Sequence, residues 1–301
     1  MSENYDKRRK VFDMIGRTYA FICAFLLIVI TVSIFYFVAT KGLSTFIIDK
    51  RSIKEFLFGT LWKPDRPNDQ GGPAIGSLQF ILGSVFVSVF AILISTPLSI
   101  SAAIFMVEIA KKFGRNLLQP AMEIFVGIPS VVYGWIGLTV LVPFISKYFG
   151  GLGFSMLAGI LVLTIMVLPT ITSVSTDAIK SLPWEIREAS YALGATRWQT
   201  IRKVVLPAAK PGILTAVVLG LARAFGEALA VQMVIGNSPS LPLSFLQPMS
   251  TITSIITMDM ANTVTGSTWN NALWSLALLL LLISFGFILI IRLVGRRSMY
   301  K

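Results

Sequence analysis

The chain has 301 residues, of which 55% are hydrophobic and only 13% charged, a balance too apolar for a water-soluble domain. One cysteine and no histidine exclude an intrachain disulfide, imidazole catalysis and histidine-built metal sites. The formal charge of +12 is spread over loops beside apolar runs and forms no single patch, which argues for membrane orientation and against nucleic-acid binding.

In chain order, segment 1–17 carries Lys7, Arg8, Arg9, Lys10 and Arg17 and is followed by an uncharged run from Thr18 to Ala39. That run is long enough to cross a bilayer, and no small-residue cleavage site follows it. It is therefore expected to be an uncleaved first span (about 18–39) with a cytoplasmic amino terminus. Residues 41–74, with Trp62, Pro64, Pro67, Gly71, Gly72 and Pro73, read as an ordered outer loop. A second span is expected over about 75–106, kinked at Pro97, with Lys111, Lys112 and Arg115 inside. A third covers about 117–145 and contains Pro129 and Pro143, and a fourth covers about 154–175, interrupted by Pro169. The fifth and sixth are expected over about 212–236 and 272–291. Residues 237–271 contain no lysine or arginine and belong outside, with Ile252, Ile255, Ile256 and Met260 on one face of a short interfacial helix. Arg292, Arg296, Arg297 and Lys301 put the tail, 296–301, in the cytoplasm. The prediction is an all-α membrane protein with six transmembrane helices in one domain, 18–295, and no internal repeat.

The polar segment 181–211 stands apart from this apolar background. Pro183 suits the first turn of a helix, and Glu185 and Glu188 lie near the positive end of its dipole. Gly194 supplies a stop, and Thr196 with Gln199 forms a capping box for a second short helix that Pro207 is expected to end. Ala189, Ala192 and Leu193 share a face of the first helix, and Ile201, Val204 and Val205 a face of the second. The expectation is a compact cytoplasmic knob with a glycine elbow.

The fifth span carries Arg223 near its middle and Glu227 four residues on, within pairing reach around the helix. A charge at mid-span costs roughly 2.5–3.5 kcal/mol, so the pair is expected to face a partner or a water-filled path. Gly212, Ala216, Gly220, Ala224 and Ala228 form a small-residue ridge beside that stripe, suited to close helix packing.

Glu188-Ala189-Ser190, Gly194 and Val204-Val205-Leu206-Pro207 together resemble the EAA loop of ABC-importer permeases, E-A-A-x3-G-x9-I-x-L-P, with Ser190 for the second alanine and Val204 for the isoleucine. Gly220 to Val231, Met233 to Asn237, and Glu123 to Gly134 resemble phosphate-specific permeases, and the Met233–Asn237 ending is closer to the PstC-type subunit than to its PstA-type partner. The resemblance implies the type I ABC importer permease fold. It also implies a heterodimer with a PstA-like permease, two copies of a PstB-like ATPase and an external PstS-like phosphate-binding protein. Glu185, Glu188, Ala189, Gly194, Arg197, Leu206 and Pro207 would couple to the ATPase, and Arg223, Glu227, Ser130 and Tyr133 would line the substrate path. The chain has no G-x-x-x-x-G-K-[ST] phosphate loop, so it is expected to be a non-enzymatic transport subunit without cofactor or metal. The residues alone leave open another tetrahedral oxyanion, such as sulfate or molybdate, and a self-sufficient channel or secondary transporter.

Overall fold

The computed structural model describes residues 2–241 and 243–297, so the end of the expected tail, with Lys301, lies outside the described residues. Among the described residues, six helical segments are long and apolar enough to cross a membrane: Phe12–Ile47, Leu78–Ile109, Ser130–Phe149, Met156–Lys180, Arg197–Gly226 and Thr268–Leu293. Backbone polar groups must be satisfied within the segment in hydrocarbon, and helices do this.

Helix α1 (Ser2–Ile47) is much longer than its uncharged run. Its apolar body is exposed, and it meets the rest of the chain near its carboxyl end. There Ser275 Oγ donates to Gly42 O at 2.6 Å and lies 2.7 Å from Thr45 Oγ1. The outer loop orders into α2 (Ile53–Phe58) and a two-residue antiparallel ribbon pairing Trp62 with Ile75.

Helix α3 (Leu78–Ile104) runs through Pro97 and ends in a π turn, Phe105–Ile109. A short α4 (Lys111–Phe113) and a second π turn, Gly114–Leu118, lead into α5 (Gln119–Gly127). The third span is therefore not one helix over 117–145. It breaks at Ile128, whose backbone is extended, and resumes as α6 (Ser130–Ile136), a π turn at Gly137–Leu141 and α7 (Val142–Phe149). Pro129 cannot donate to the carbonyl of Phe125, which ends the first piece.

Helix α8 (Met156–Lys180) is the hub of the bundle, and the expected interruption at Pro169 is absent, since the helix continues past it. Its Leu163, Val167 and Ile171 pack with Val87 and Ala91 of α3 and with the small-residue ridge of the fifth span. A Cβ built on Gly220 would lie 2.6 Å from Ile171, and one on Gly212 would lie 2.4 Å from Ala178, so the ridge seats directly on α8.

The knob comprises α9 (Trp184–Ala192) and α10 (Arg197–Thr200). Pro207 does not end the second helix. A π turn, Ile201–Val205, joins α10 to α11 (Leu206–Gly226), giving one helix from the elbow into the membrane. Three times in the chain a π turn precedes a proline at the second position of the next helix: Pro120, Pro143 and Pro207. A proline ring collides with the carbonyl four residues back, and the wider turn moves that carbonyl aside.

The fifth span is broken as well. Helix α11 stops at Gly226, Glu227 is extended, and α12 (Leu229–Ile235) follows, so the expected single helix over 212–236 is two pieces. Beyond α12, α13 (Ile252–Asp259) buries Ile252 and Ile255 against Phe80 and Leu276, on the face expected from the sequence. Its terminal Asp259 accepts a hydrogen bond from Trp269 Nε1 at 3.3 Å, and burial raises its carboxyl above the usual range, with that N–H partly offsetting the rise. Helix α14 (Thr268–Arg297) closes the bundle.

Candidate functional site

Two polar constructions interrupt the apolar bundle, one at the helix breaks and one at the knob. At the breaks, the chain turns extended at Glu227, so the Arg223–Glu227 pairing expected on a continuous helix is not made: among the described residues no ion pair joins them. The two side chains serve different ends. The Glu227 carboxylate accepts from the Ala230 N–H at 3.0 Å, capping α12, and its backbone carbonyl accepts from Thr253 Oγ1 at 2.9 Å. Arg223 Nη1 donates to Thr170 Oγ1 of α8 at 2.8 Å. A guanidinium has five N–H donors, so one is engaged here. Arg223 is half-buried, beside a stripe of α11 formed by Thr215, Leu219, Ala222 and Gly226 that its own chain leaves exposed.

The break in the third span faces the break in the fifth. A Cβ on Gly134 of α6 would lie 2.9 Å from Ala230 Cα and 2.8 Å from Met233 Sδ, so only glycine permits this approach to α12. Tyr133 is buried, and its hydroxyl donates to the carbonyl of Phe125 at 2.8 Å, the acceptor that Pro129 leaves without its helical donor. The hydroxyl is thus engaged in bracing the break, while Tyr133 remains within electrostatic reach of Arg223. Ser130 lies partly exposed in the first turn of α6.

At the knob, the sequence signals are realised. Gly194 has φ of 79°, and the Ala195 N–H reaches back to the Ser190 carbonyl at 3.2 Å, closing α9 as a left-handed glycine cap does. Thr196 and Gln199 form both bonds of the capping box. Glu185, Glu188, Ala189 and Arg197 are exposed around the elbow, and Leu193 at its tip is 90% exposed, with Trp198 also bare. Leu206 and Pro207 lie elsewhere: Leu206 packs against the apolar cluster under the knob, and Pro207 follows the π turn.

The buried side of the knob was not foreseen. The shared face of α9 formed by Ala189, Ala192 and Leu193 points outward, and the buried residues are Arg187 and Ser190. Ser190, the residue that departs from the EAA pattern, lies 2.9 Å from Thr200 Oγ1 and ties the two arms of the elbow. Arg187 pairs with Glu108 at 2.8 Å, both almost fully buried. Arg197 Nη2 also donates to the Ile109 carbonyl, at 3.1 Å. Second-arm residues Ile201 and Val205 pack with Ala103, Ile104 and Ile179, as their shared face predicts.

Comparison with known proteins adds a lineage to this geometry. A family model described as binding-protein-dependent transport system inner membrane component matches residues 95–300. A Bacillus subtilis protein described as the probable ABC transporter permease YqgH is 53% identical over 292 residues, covering 97% of this chain and 93% of that one. The phosphate transport system permease PstC of Mesorhizobium japonicum is 36% identical over 250 residues, covering 76% and 74% of the two chains. That of Xylella fastidiosa is 34% identical over 266 residues, covering 82% and 80%. Among solved structures, a chain of a bacterial alginate ABC transporter superposes with a TM-score of 0.64 at 17% identity, covering 95% of this chain and 96% of that one. A chain of the MetNI methionine transporter gives 0.52 at 24% identity, covering 70% and 91%.

Proposed function

The chain belongs to the binding-protein-dependent inner-membrane transport components, as a multi-pass plasma-membrane permease subunit of an ABC importer, and we propose that its cargo is inorganic phosphate. The observation that carries this reading is Arg223. It is a permanent cation within a membrane span, its hydrogen-bond partner among the described residues is the neutral hydroxyl of Thr170, and it sits at a helix break beside an uncovered helix face. A charge so placed is costly without a counter-ion, and its unspent donors suit the paired oxygens of a tetrahedral anion. The identity to PstC permeases supports phosphate over other oxyanions.

In this reading the exposed stripe beside Arg223 is covered by a PstA-like permease, and the two chains enclose the path. Ser130 lies near its lining. Glu227 keeps the broken fifth span in register by capping α12. Both termini and the knob face the cytoplasm. Two copies of a PstB-like ATPase supply the energy, one of them docking on the exposed elbow through Glu185, Glu188, Ala189 and Arg197. A PstS-like protein delivers phosphate from outside. ATP-driven closure of the ATPase rocks the bundle through the knob and opens the path outward.

The test is ATP-dependent uptake of labelled phosphate into vesicles holding the assembled complex, with and without the binding protein, in competition with sulfate and molybdate. Uptake is expected to need the binding protein, to resist both competitors, and to vanish in Arg223→Ala with the complex still assembled. Normal phosphate uptake by that variant removes Arg223 from the mechanism, and competition by sulfate or molybdate reassigns the cargo.

A further inference from the structure

Helix α9 is joined to the membrane bundle by an unusual link. Its exposed side carries the apolar residues, and its buried side chains are Arg187 and Ser190. Ser190 reaches only the other arm of the elbow, through Thr200. Arg187 therefore makes a side-chain connection from α9 to the spans, and it spends every donor it has. Nε and Nη2 donate to Glu108 Oε1 at 3.0 and 2.8 Å. Nη2 also donates to the Ile179 carbonyl at 3.1 Å, and Nη1 donates to the carbonyls of Leu182 and Pro183 at 3.1 and 3.3 Å.

The four acceptors belong to three parts of the chain. Glu108 lies in the π turn that ends the second span, Ile179 is in the last turn of α8, and Leu182 and Pro183 form the link into the knob. The Ile179 carbonyl accepts a long backbone bond from the Leu182 N–H at 3.4 Å, so the guanidinium reinforces the end of that span. A cavity of about 320 Å³ borders the pair, with Met106, Gly114, Lys180 and Trp184 in its wall, so broad apolar packing does not share the connection on that side.

We infer that Arg187 and Glu108 are positioning residues forming a rigid polar strut that carries movement of the ATPase-facing helix α9 into the second and fourth spans together. The inference rests on the reading of the knob as an ATPase dock. A buried pair of this kind is a poor device for stability alone, because an apolar pair of similar volume does as well or better. Its advantage is geometry: three directed bonds to Glu108 and Ile179 fix one orientation of α9 against two helix ends, and two more brace the link into α9, where apolar contact would let it slide.

The strut is tested in the assembled complex with Glu108→Gln and Arg187→Lys, which keep side-chain volume while weakening the charge pairing or the fork. ATP hydrolysed per phosphate carried is expected to rise several-fold in both. A role confined to folding lowers hydrolysis and uptake in proportion and leaves that ratio unchanged, an outcome that overturns the proposal. A second measurement is independent of the cargo. With Cys23→Ser as background, spin labels at the exposed Ala192 of α9 and Phe105 at the end of the second span report one distance. The distance is expected to stay the same between nucleotide-free and ATP-bound complex, and to change with nucleotide in Glu108→Gln. A distance that changes in the unaltered strut overturns it. Failure of the parent complex to take up phosphate counts against the proposed cargo and leaves this distance test to decide the strut.

Discussion

Arg187 and Arg223 are both arginines set into an apolar bundle, and the protein treats them in opposite ways. Arg187 has a carboxylate and three backbone carbonyls, and no donor is left over. Arg223 has one threonine hydroxyl, and its neighbouring carboxylate is turned away to cap α12. A guanidinium whose valences are filled holds pieces of protein together, whereas one left short of partners is available to something that passes. The surroundings repeat the contrast, since the first is almost fully buried and the second faces an open stripe.

The contrast breaks most visibly if each arginine is deprived of its setting. Glu108→Ala leaves a buried cation without its carboxylate and is expected to cost about 3–5 kcal/mol, read as a large fall in the thermal unfolding temperature of the purified complex. Arg223→Ala is expected to do the reverse. Uptake falls by at least about 100-fold, roughly 2.7 kcal/mol in barrier terms, while the unfolding temperature barely moves. If both variants unfold alike, the distinction between a structural and a transporting arginine fails.

Gly194→Ala sharpens the comparison at the elbow. A side chain at φ of 79° costs about 1–2 kcal/mol, so amide exchange should quicken in α9 and α10 with the spans unaffected. The smallest effect concerns Asp259, far from both arginines. Its folded pKa is raised, chiefly by burial, so its contribution to stability is complete below the ordinary carboxylate pKa and is lost as pH rises through the raised value. Asp259→Asn, which cannot ionise, is expected to flatten the pH dependence of unfolding temperature in the weakly acidic range just above that ordinary value. Unchanged pH dependence would mean that Asp259 titrates alike in both states.

Much of the scaffold was legible in the residues. Uncharged runs marked the spans, Ile252 and Ile255 marked the buried face of α13, and glycine and capping residues outlined the knob. The ridge from Gly212 to Ala224 correctly announced close packing on α8 because its four-residue repeat is a local property of one helix, whereas Ala228 falls beyond the break. The break after Gly226 was not legible. Gly226 is one of many glycines, and the interactions that stabilise an extended Glu227 come from Thr253, remote in sequence, and from the amide of Ala230. Arg187 was missed for a related reason: its partner lies 79 residues earlier in the chain, and a charged residue on a short polar helix is ordinarily solvated. Three π turns did leave a signal, the prolines at 120, 143 and 207, of which only Pro207 was given a role, as a stop, when all three follow a local widening of the helix.

The widened turn before Pro207 sets an angular relation. It adds one residue to the helical count between the elbow and the membrane, and each residue turns an α-helix by about 100°. The compass bearing of Arg223 relative to the elbow is thus fixed by that extra residue. Deleting Val204 would restore ordinary winding and swing the guanidinium about a quarter-circle away from Thr170, with no change to any residue on the membrane face.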